Sequence, residues 1–526
     1  MKTLILKLST MLVLVTLMIS VASAATTNTY YVSKAGTSVT PYATLGTAAT
    51  DIQAAITQAQ ADLVPGTTEC TVLVADGIYT VTAPVTITKG ITLRSINGYA
   101  GAIIDGGYPT STNRCMTITN CNAVVSGFTV QNGFAYGGDG VSRGGGIYAI
   151  DATGIIEDCL IRKNRSQHTA PNTTGVGSMG GGMFVEGGAL IIRGCVIEGN
   201  STLIPGDVSH FQSGTGIYIN NSPGVFMYDC IVSNHVQTGN NGSGAGLLMT
   251  NSKDGIVSNC QFIANTCSRW GANYVFGGTV THSLISNNTS RSSAGGLLLQ
   301  GDATGSKLLH SRIVNNSVTA GNGGGVYINR GILENCIILN NISSLTGGGV
   351  SSDEGTIKNC LIAGNEAGTT GGGLHRANKK HIVRNCTIVQ NKAATEGGGV
   401  YNLSTTANNF LNCIITDNSA SLTNDCYSIQ DGVIGYSCSP DLVDGVNGNI
   451  TAAPIFVKDG TGTGLTAVLG DYRLRFGSPG LDVGAYEAWM ASAVDLQGAA
   501  RKQGSAPEMG AYEGAVMPRG TSIIVR

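Results

Sequence analysis

The sequence predicts an all-β solenoid, a stack of coils that repeat the same strands and corners. Three observations carry that prediction. A cysteine recurs in one frame, with an apolar residue three before it and an asparagine five after it, at Cys159/Asn164, Cys195/Asn200, Cys260/Asn265, Cys336/Asn341, Cys360/Asn365, Cys386/Asn391 and Cys413/Asn418. Ser283/Asn288 and Ser311/Asn316 keep the frame with serine for cysteine, Gly127/Asn132 opens it, and Cys230 has Asn234 one residue early. Successive frames lie 23 to 36 residues apart, a period that means stacked repeats. A glycine cluster leads into many of these frames, as in Gly144-Gly145-Gly146-Ile147-Tyr148 and Gly323-Gly324-Gly325-Val326-Tyr327. Composition agrees: charged residues are 12% and there are 76 glycines, whereas ordinary soluble domains carry roughly 25% charge.

Each element follows in order. Residues 1–24 read as a signal peptide, with Lys2 and Lys7 ahead of an apolar stretch and Ala22-Ser23-Ala24 as the cleavage site. Residues 25–105 read as an N-terminal cap and first strands. In it Ile52, Ala55, Ile56 and Ala59 share one side of a helix. Residues 106–420 are the coils. Each has one strand after the glycine cluster and one in the cysteine frame, where alternation puts Ile156, Cys159 and Ile161 inward. Asparagines recurring at one corner should bond along the stack as a ladder. About eleven or twelve coils are expected, roughly 50–60 Å in length at the spacing of stacked strands.

Fourteen cysteines in an exported chain usually form disulfides. Here eight occupy the repeat frame, and serine or glycine replaces cysteine at other rungs, so buried thiols acting as small hydrophobes are expected. Cys426 and Cys438 lie outside the frame and are the better candidates for a bond.

The paired signals, Gly-Gly-Gly-Ile/Val-Tyr and a Cys/Phe-Ile-x-x-Asn strand end, resemble the repeats of chlamydial polymorphic outer membrane proteins. Phe128-Thr129-Val130-Gln131-Asn132 adds a close variant. More broadly, residues 30–420 resemble exported bacterial proteins of the pectin-lyase-like fold. That resemblance implies a right-handed single-stranded parallel β-helix with an N-terminal cap and a C-terminal closing region. The same fold hosts lyases, hydrolases and adhesins. In residues 421–526 the pair Asp482-Val483-Gly484-Ala485-Tyr486-Glu487 and Glu508-Met509-Gly510-Ala511-Tyr512-Glu513 resembles the choice-of-anchor Q region. No sortase-like motif follows it, so the mode of surface retention stays open.

Net charge is −2 with no basic run, which leaves no electrostatic footprint for nucleic acid. No second apolar stretch has membrane-spanning length. No spacing reads as a zinc site and no acidic cluster as a calcium cage. No cofactor is therefore expected, and calcium is open only without a motif. The motifs expected of polygalacturonase-like, pectinesterase-like and pectate-lyase-like enzymes are absent.

Chemistry should then sit where the repeat is broken, in the long connections that follow the asparagine corner. These hold Phe134, Tyr136, Asp139 and Arg143, then Arg165 and His168, then Asp207, His210 and Phe211, then His235, then Arg269 and Trp270. Leaving their coils at one point, they should stack on one flank. Aromatic, amide and charged groups there suit glycan or protein recognition, and local packing is the alternative. Were the chain catalytic, His168, His210, Tyr136, Arg143 and Arg165 are the candidate base and charge neutralisers. His282 and His310 should point outward in a solvated row with Asn259, Asn335, Asn359, Asn385 and Asn412. The expected protein is a monomeric, secreted or cell-surface, adhesin-like binder of polysaccharide, cell-surface glycan or protein. A polysaccharide lyase or hydrolase is the alternative, and an envelope spacer the third reading.

Overall fold

A computed structural model describes residues 25–514 except 138–141, 169–176, 204–210, 240, 302–304, 378–380, 404–408 and 429–432. The expected signal peptide lies outside the described residues. One coil shows the plan. Ile147–Ile150 and Ile155–Glu157 are consecutive strands of one broad sheet. Leu160–Arg162 then belongs to a second sheet and Arg165–His168 to a third. Every pairing between these coils is parallel, as Ile147–Ile150 against Met183–Glu186 shows. The second sheet has 13 strands, one or two more than the frames suggested, because the first coils precede the cysteine repeat. At ~4.8 Å per rung the stack is about 60 Å long. The fold is a parallel β-helix.

The cysteine frame is a corner and not a single strand. The residue before each cysteine adopts positive φ: 51° at Asp158, 50° at Asn259 and 53° at Asn335. Asn and Asp tolerate that left-handed conformation, which turns the chain from the broad sheet into the second. The thiol points into the lumen and donates back to the carbonyl two residues earlier, 3.1 Å from Cys159 to Glu157 and 3.0 Å from Cys360 to Lys358. All fourteen cysteines are free. The pair expected to bond stands apart: Cys426 Sγ lies 3.7 Å from Ser439 Oγ, and Cys438 Sγ donates to the Ala452 carbonyl at 3.2 Å.

The asparagine ladder is continuous. Where asparagine follows asparagine, the backbone N–H and Nδ2 of one donate to Oδ1 of the next, at 2.9 and 3.0 Å from Asn341 to Asn365. Nδ2 also donates to a carbonyl of the coil before, 3.0 Å to Ile313. The chain of bonds runs from Gly133 N–H to Asp425 Oδ1. At the rung assigned to Asn234 the structure places His235 instead, accepting from Asn200 N–H on Nδ1 at 3.2 Å. The glycine cluster belongs to the same device. A Cβ on Gly146 would lie 2.8 Å from Asn164 Nδ2, and one on Gly349 would lie 2.9 Å from Asn365 Nδ2. The third glycine is thus the space into which the ladder amide projects.

The helix Ile52–Asp62 closes one end, N-capped by Asp51 and burying Ile52, Ala55, Ile56 and Ala59. The closing region folds back along the second sheet. Phe456, Tyr472, Leu474 and Met509 pack against Leu339, Leu361, Val389 and Ile414. It also takes over the outward row at the corners, which is therefore not wholly solvated. Nδ2 of Asn359, Asn385 and Asn412 donates to the carbonyls of Val494, Glu508 and Ala485. His282 and His310 stack at 4.9 Å. Inside the closing region Arg501 is fully buried and lies 3.0 Å from Glu513, whose carboxyl burial pushes up, helped by its hydrogen bond with Glu508 and opposed by Arg501.

Candidate functional site

The tyrosine after each glycine cluster faces outward, because the residue before it fills the lumen. Strand register brings these positions into one file: Tyr148, Phe184, Tyr218, Leu248, Tyr274, Leu298, Tyr327, Ser351, His375, Tyr401 and Tyr427 are successive neighbours. Where two rings are successive they touch along the helix axis. Phe184 meets Tyr218 edge-on at 5.2 Å, and Tyr401 stacks on Tyr427 at 4.6 Å and on His375 at 5.2 Å. The file is a largely apolar floor edged with phenol hydroxyls, in which Phe184, Leu248, Leu298 and Ser351 are themselves buried.

Two residues further on, a polar file runs parallel to it. Asn220 Nδ2 donates to Glu186 Oε1 at 3.0 Å, and Thr250 Oγ1 donates to Asn220 Oδ1 at 2.8 Å. Tyr274 OH donates to Gln300 Oε1 at 2.6 Å. Tyr327 OH donates to Asp353 Oδ2 at 2.9 Å; burial, then that bond, raises its phenol. Burial holds His375 down to about 4 against the pull of Asp353, so its imidazole is neutral near pH 7. On the other side of the aromatic file stands a wall. It is built from Ser142–Arg143, Gly177–Met179, Phe211–Ser213 and Asn241–Ser243. Bridges through Trp270, Ser293 and Asn322 prolong it. Arg143 reaches from the wall over Phe184 at 5.0 Å and pairs with Glu186 at 2.9 Å. Arg114 covers Tyr148 at 4.5 Å.

The residues expected on one flank are distributed over several places. Arg143, Phe211, Arg269 and Trp270 line the wall; Trp270 is 41% exposed and carries Arg269 over its ring at 5.0 Å. Phe134, Tyr136 and Arg165 belong to the third sheet, where Arg165 lies over Tyr108 at 5.2 Å and over Phe134 at 5.8 Å. Tyr136 is 55% exposed and Phe134 is buried. His168 and His235 are buried, so neither imidazole fronts a groove as a surface base or contact would. Burial lowers His235 to about 4, opposed by its backbone bonds. Asp139, Asp207 and His210 lie outside the described residues. The long connections are not free loops where described. They add strands that continue the coil register.

The tyrosine file was the missed feature. Its signal was present in the Gly-Gly-Gly-Ile/Val-Tyr motif, whose last residue alternation sends outward. Among the described residues, no group of His, Cys, Asp and Glu is arranged to hold a metal ion, and no helix is long and apolar enough to cross a membrane.

A family model described as "Right handed beta helix region" matches residues 114–312. With the observed coils it defines the chain as a right-handed parallel β-helix protein. A search of curated proteins returns no match. Among solved structures, the pectate lyase Pel9A is similar at 15% identity over 94% of this chain and 98% of its own, with a TM-score of 0.32. The Dettilon tailspike protein (gp208) is similar at 12% identity over 82% of this chain and 74% of its own, also at 0.32.

Proposed function

We propose that this is an exported, surface-acting binding protein that lays a glycan chain along the aromatic file without cleaving it. The observation that carries the reading is the continuous register from Tyr148 to Tyr427, in which eight of the eleven positions are rings and Leu248, Leu298 and Ser351 fill the others, walled on one side and hydrogen-bonding on the other. Rungs ~4.8 Å apart repeat the same contact along the axis, which suits a ligand that is itself a repeating chain. Aromatic rims supply apolar area while the phenol, amide and carboxylate groups fix orientation. A solenoid holds this surface rigid, so little ordering cost attends binding.

The test is a glycan array followed by calorimetry on the purified mature chain. Binding should weaken at least tenfold in Tyr274→Ala and in Trp270→Ala, about 1.4 kcal/mol each, and should be unchanged in Tyr136→Ala, which lies off the file. Equal loss in all three, or binding untouched by the first two, would sink the reading. A lyase is the second reading, favoured by the Tyr327–Asp353 bond beside the neutral His375, since elimination needs a base and a charge stabiliser. New ultraviolet-absorbing unsaturated ends, lost in His375→Gln, would establish it in place of simple binding.

A further inference from the structure

One inward position of the broad sheet changes character near the end of the stack. From Ile118 through Val185 and Met249 to Ile328 it is apolar in every coil. The next three rungs are Ser352, Arg376 and Asn402. All three are buried, and Arg376 is 0% exposed.

The guanidinium of Arg376 has no hydrogen-bond partner on Nε, Nη1 or Nη2. Among the described residues its marked contact is the Phe410 ring, 4.7 Å from Cζ. Burial lowers its pKa to about 9, so it stays charged at neutral pH; the Cys413 thiol close by is kept protonated by its own burial. The contrast with Arg501 is direct. That side chain is equally buried, but it pairs with Glu513 and donates to the carbonyls of Glu508 and Gly510 at 2.9 and 2.8 Å. A cation taken out of water with neither anion nor acceptor is among the most unfavourable arrangements a core can hold. The neighbouring rungs are polar, and His381 accompanies Ser352 at 3.1 Å. The guanidinium thus sits among buried polar side chains as well as against the Phe410 ring.

We propose that Arg376 binds a small inorganic monovalent anion of the halide class inside the lumen, enclosed by the coils that carry Ser352 and Asn402. Between rungs ~4.8 Å apart a single-atom ion demands less space than a tetrahedral oxyanion. The ion neutralises the guanidinium and accepts its N–H groups. It is enclosed as the coils close, a structural partner of the fold and separate from the glycan surface.

The experiment unfolds the purified mature chain and refolds it in gluconate at fixed ionic strength, then repeats this with chloride or bromide. Thermal unfolding is followed by circular dichroism. An ion bound only by the folded chain shifts the folding equilibrium about tenfold per decade of halide above its dissociation constant. The wild type should show that rise, and Arg376→Met, which removes the charge at similar volume, should not. Crystals grown in bromide should give an anomalous peak within hydrogen-bonding distance of Arg376. An unfolding midpoint indifferent to halide, an Arg376→Met variant with the wild-type response, or an absent bromide peak would each overturn the proposal. Should Arg376→Met fail to fold, the bromide peak alone decides.

Discussion

Replacing Asn341 with alanine tests the claim that the ladder couples one coil to the next. Its side chain makes four bonds. Oδ1 accepts from the backbone N–H and Nδ2 of Asn316, both at 2.9 Å, and Nδ2 donates to the Ile313 carbonyl and to Asn365 Oδ1, both at 3.0 Å. Truncation leaves the Asn316 N–H and the Ile313 carbonyl stranded in a dry lumen. An unpaired buried polar group costs ~1–3 kcal/mol, so the two together cost about 2–6 kcal/mol. In a stacked array that cost falls on the interface between neighbours. Urea unfolding followed by far-ultraviolet circular dichroism should therefore show a lower midpoint and a split transition as the two sides of the break melt separately. Asn341→Asp keeps the acceptor and loses the donor, and it should fall between. A cost below about 0.5 kcal/mol in Asn341→Ala, with a single unsplit transition, would refute the reasoning, because the stranded groups would then be satisfied in some other way.

Further outcomes follow from other rungs. His235 has a folded pKa of about 4, below the usual ~6.5; its stabilisation is complete above the higher value and is lost as pH falls toward the lower. His235→Asn should abolish that acid loss, worth about 3 kcal/mol, in unfolding measured from pH 7 to 4. Asp425 runs the other way, since burial raises it to about 6 while its bonds from Asn418 pull it down. Its stabilisation is full below pH ~4 and is lost as pH rises through 6, so Asp425→Asn should gain up to about 3 kcal/mol at pH 7 and flatten the profile. Gly349→Ala places a Cβ 2.7 Å from the Gly373 carbonyl and 2.9 Å from Asn365 Nδ2; it should lower the melting temperature by several degrees or prevent folding. Arg384→Ala removes the 2.8 Å pair with Glu487 and should expose the closing region to limited proteolysis before the coils themselves are cut.

How far the sequence reveals this molecule depends on whether an interaction lies within one coil or between distant segments. The ladder and the glycine cluster are legible because every coil must solve the same problem with the same residues. That the two motifs form one device is not legible, since Gly146 and Asn164 meet only across a closed coil. The corner at Asp158 was legible only in part. The three-residue step from Ile156 to Cys159 breaks strict alternation, and the positive φ at Asp158 shows that the break is a turn. His235 was assigned to a surface because imidazoles usually signal chemistry, yet a ring nitrogen can accept the same N–H that an amide oxygen does. The sequence alone points to the long connections as the binding flank, and the aromatic file of the proposed reading lies apart from most of them. Irregular segments attract attention, whereas Tyr148, Tyr218 and Tyr274 sit inside the regular part and become a surface only through register.

The closing region also works as a gauge of length. It bonds to Asn340, Asn359, Asn385 and Asn412, one on each of four successive coils. Adding or deleting a coil among them would move every later anchor by a full rung and leave the returning chain out of step. Coils before Leu309 meet no such constraint, because among the described residues the returning chain packs from Val314 onward. The returning chain thus measures the last coils and leaves the earlier ones unmeasured, so an inserted coil should be borne more easily near the beginning of the stack than near its end.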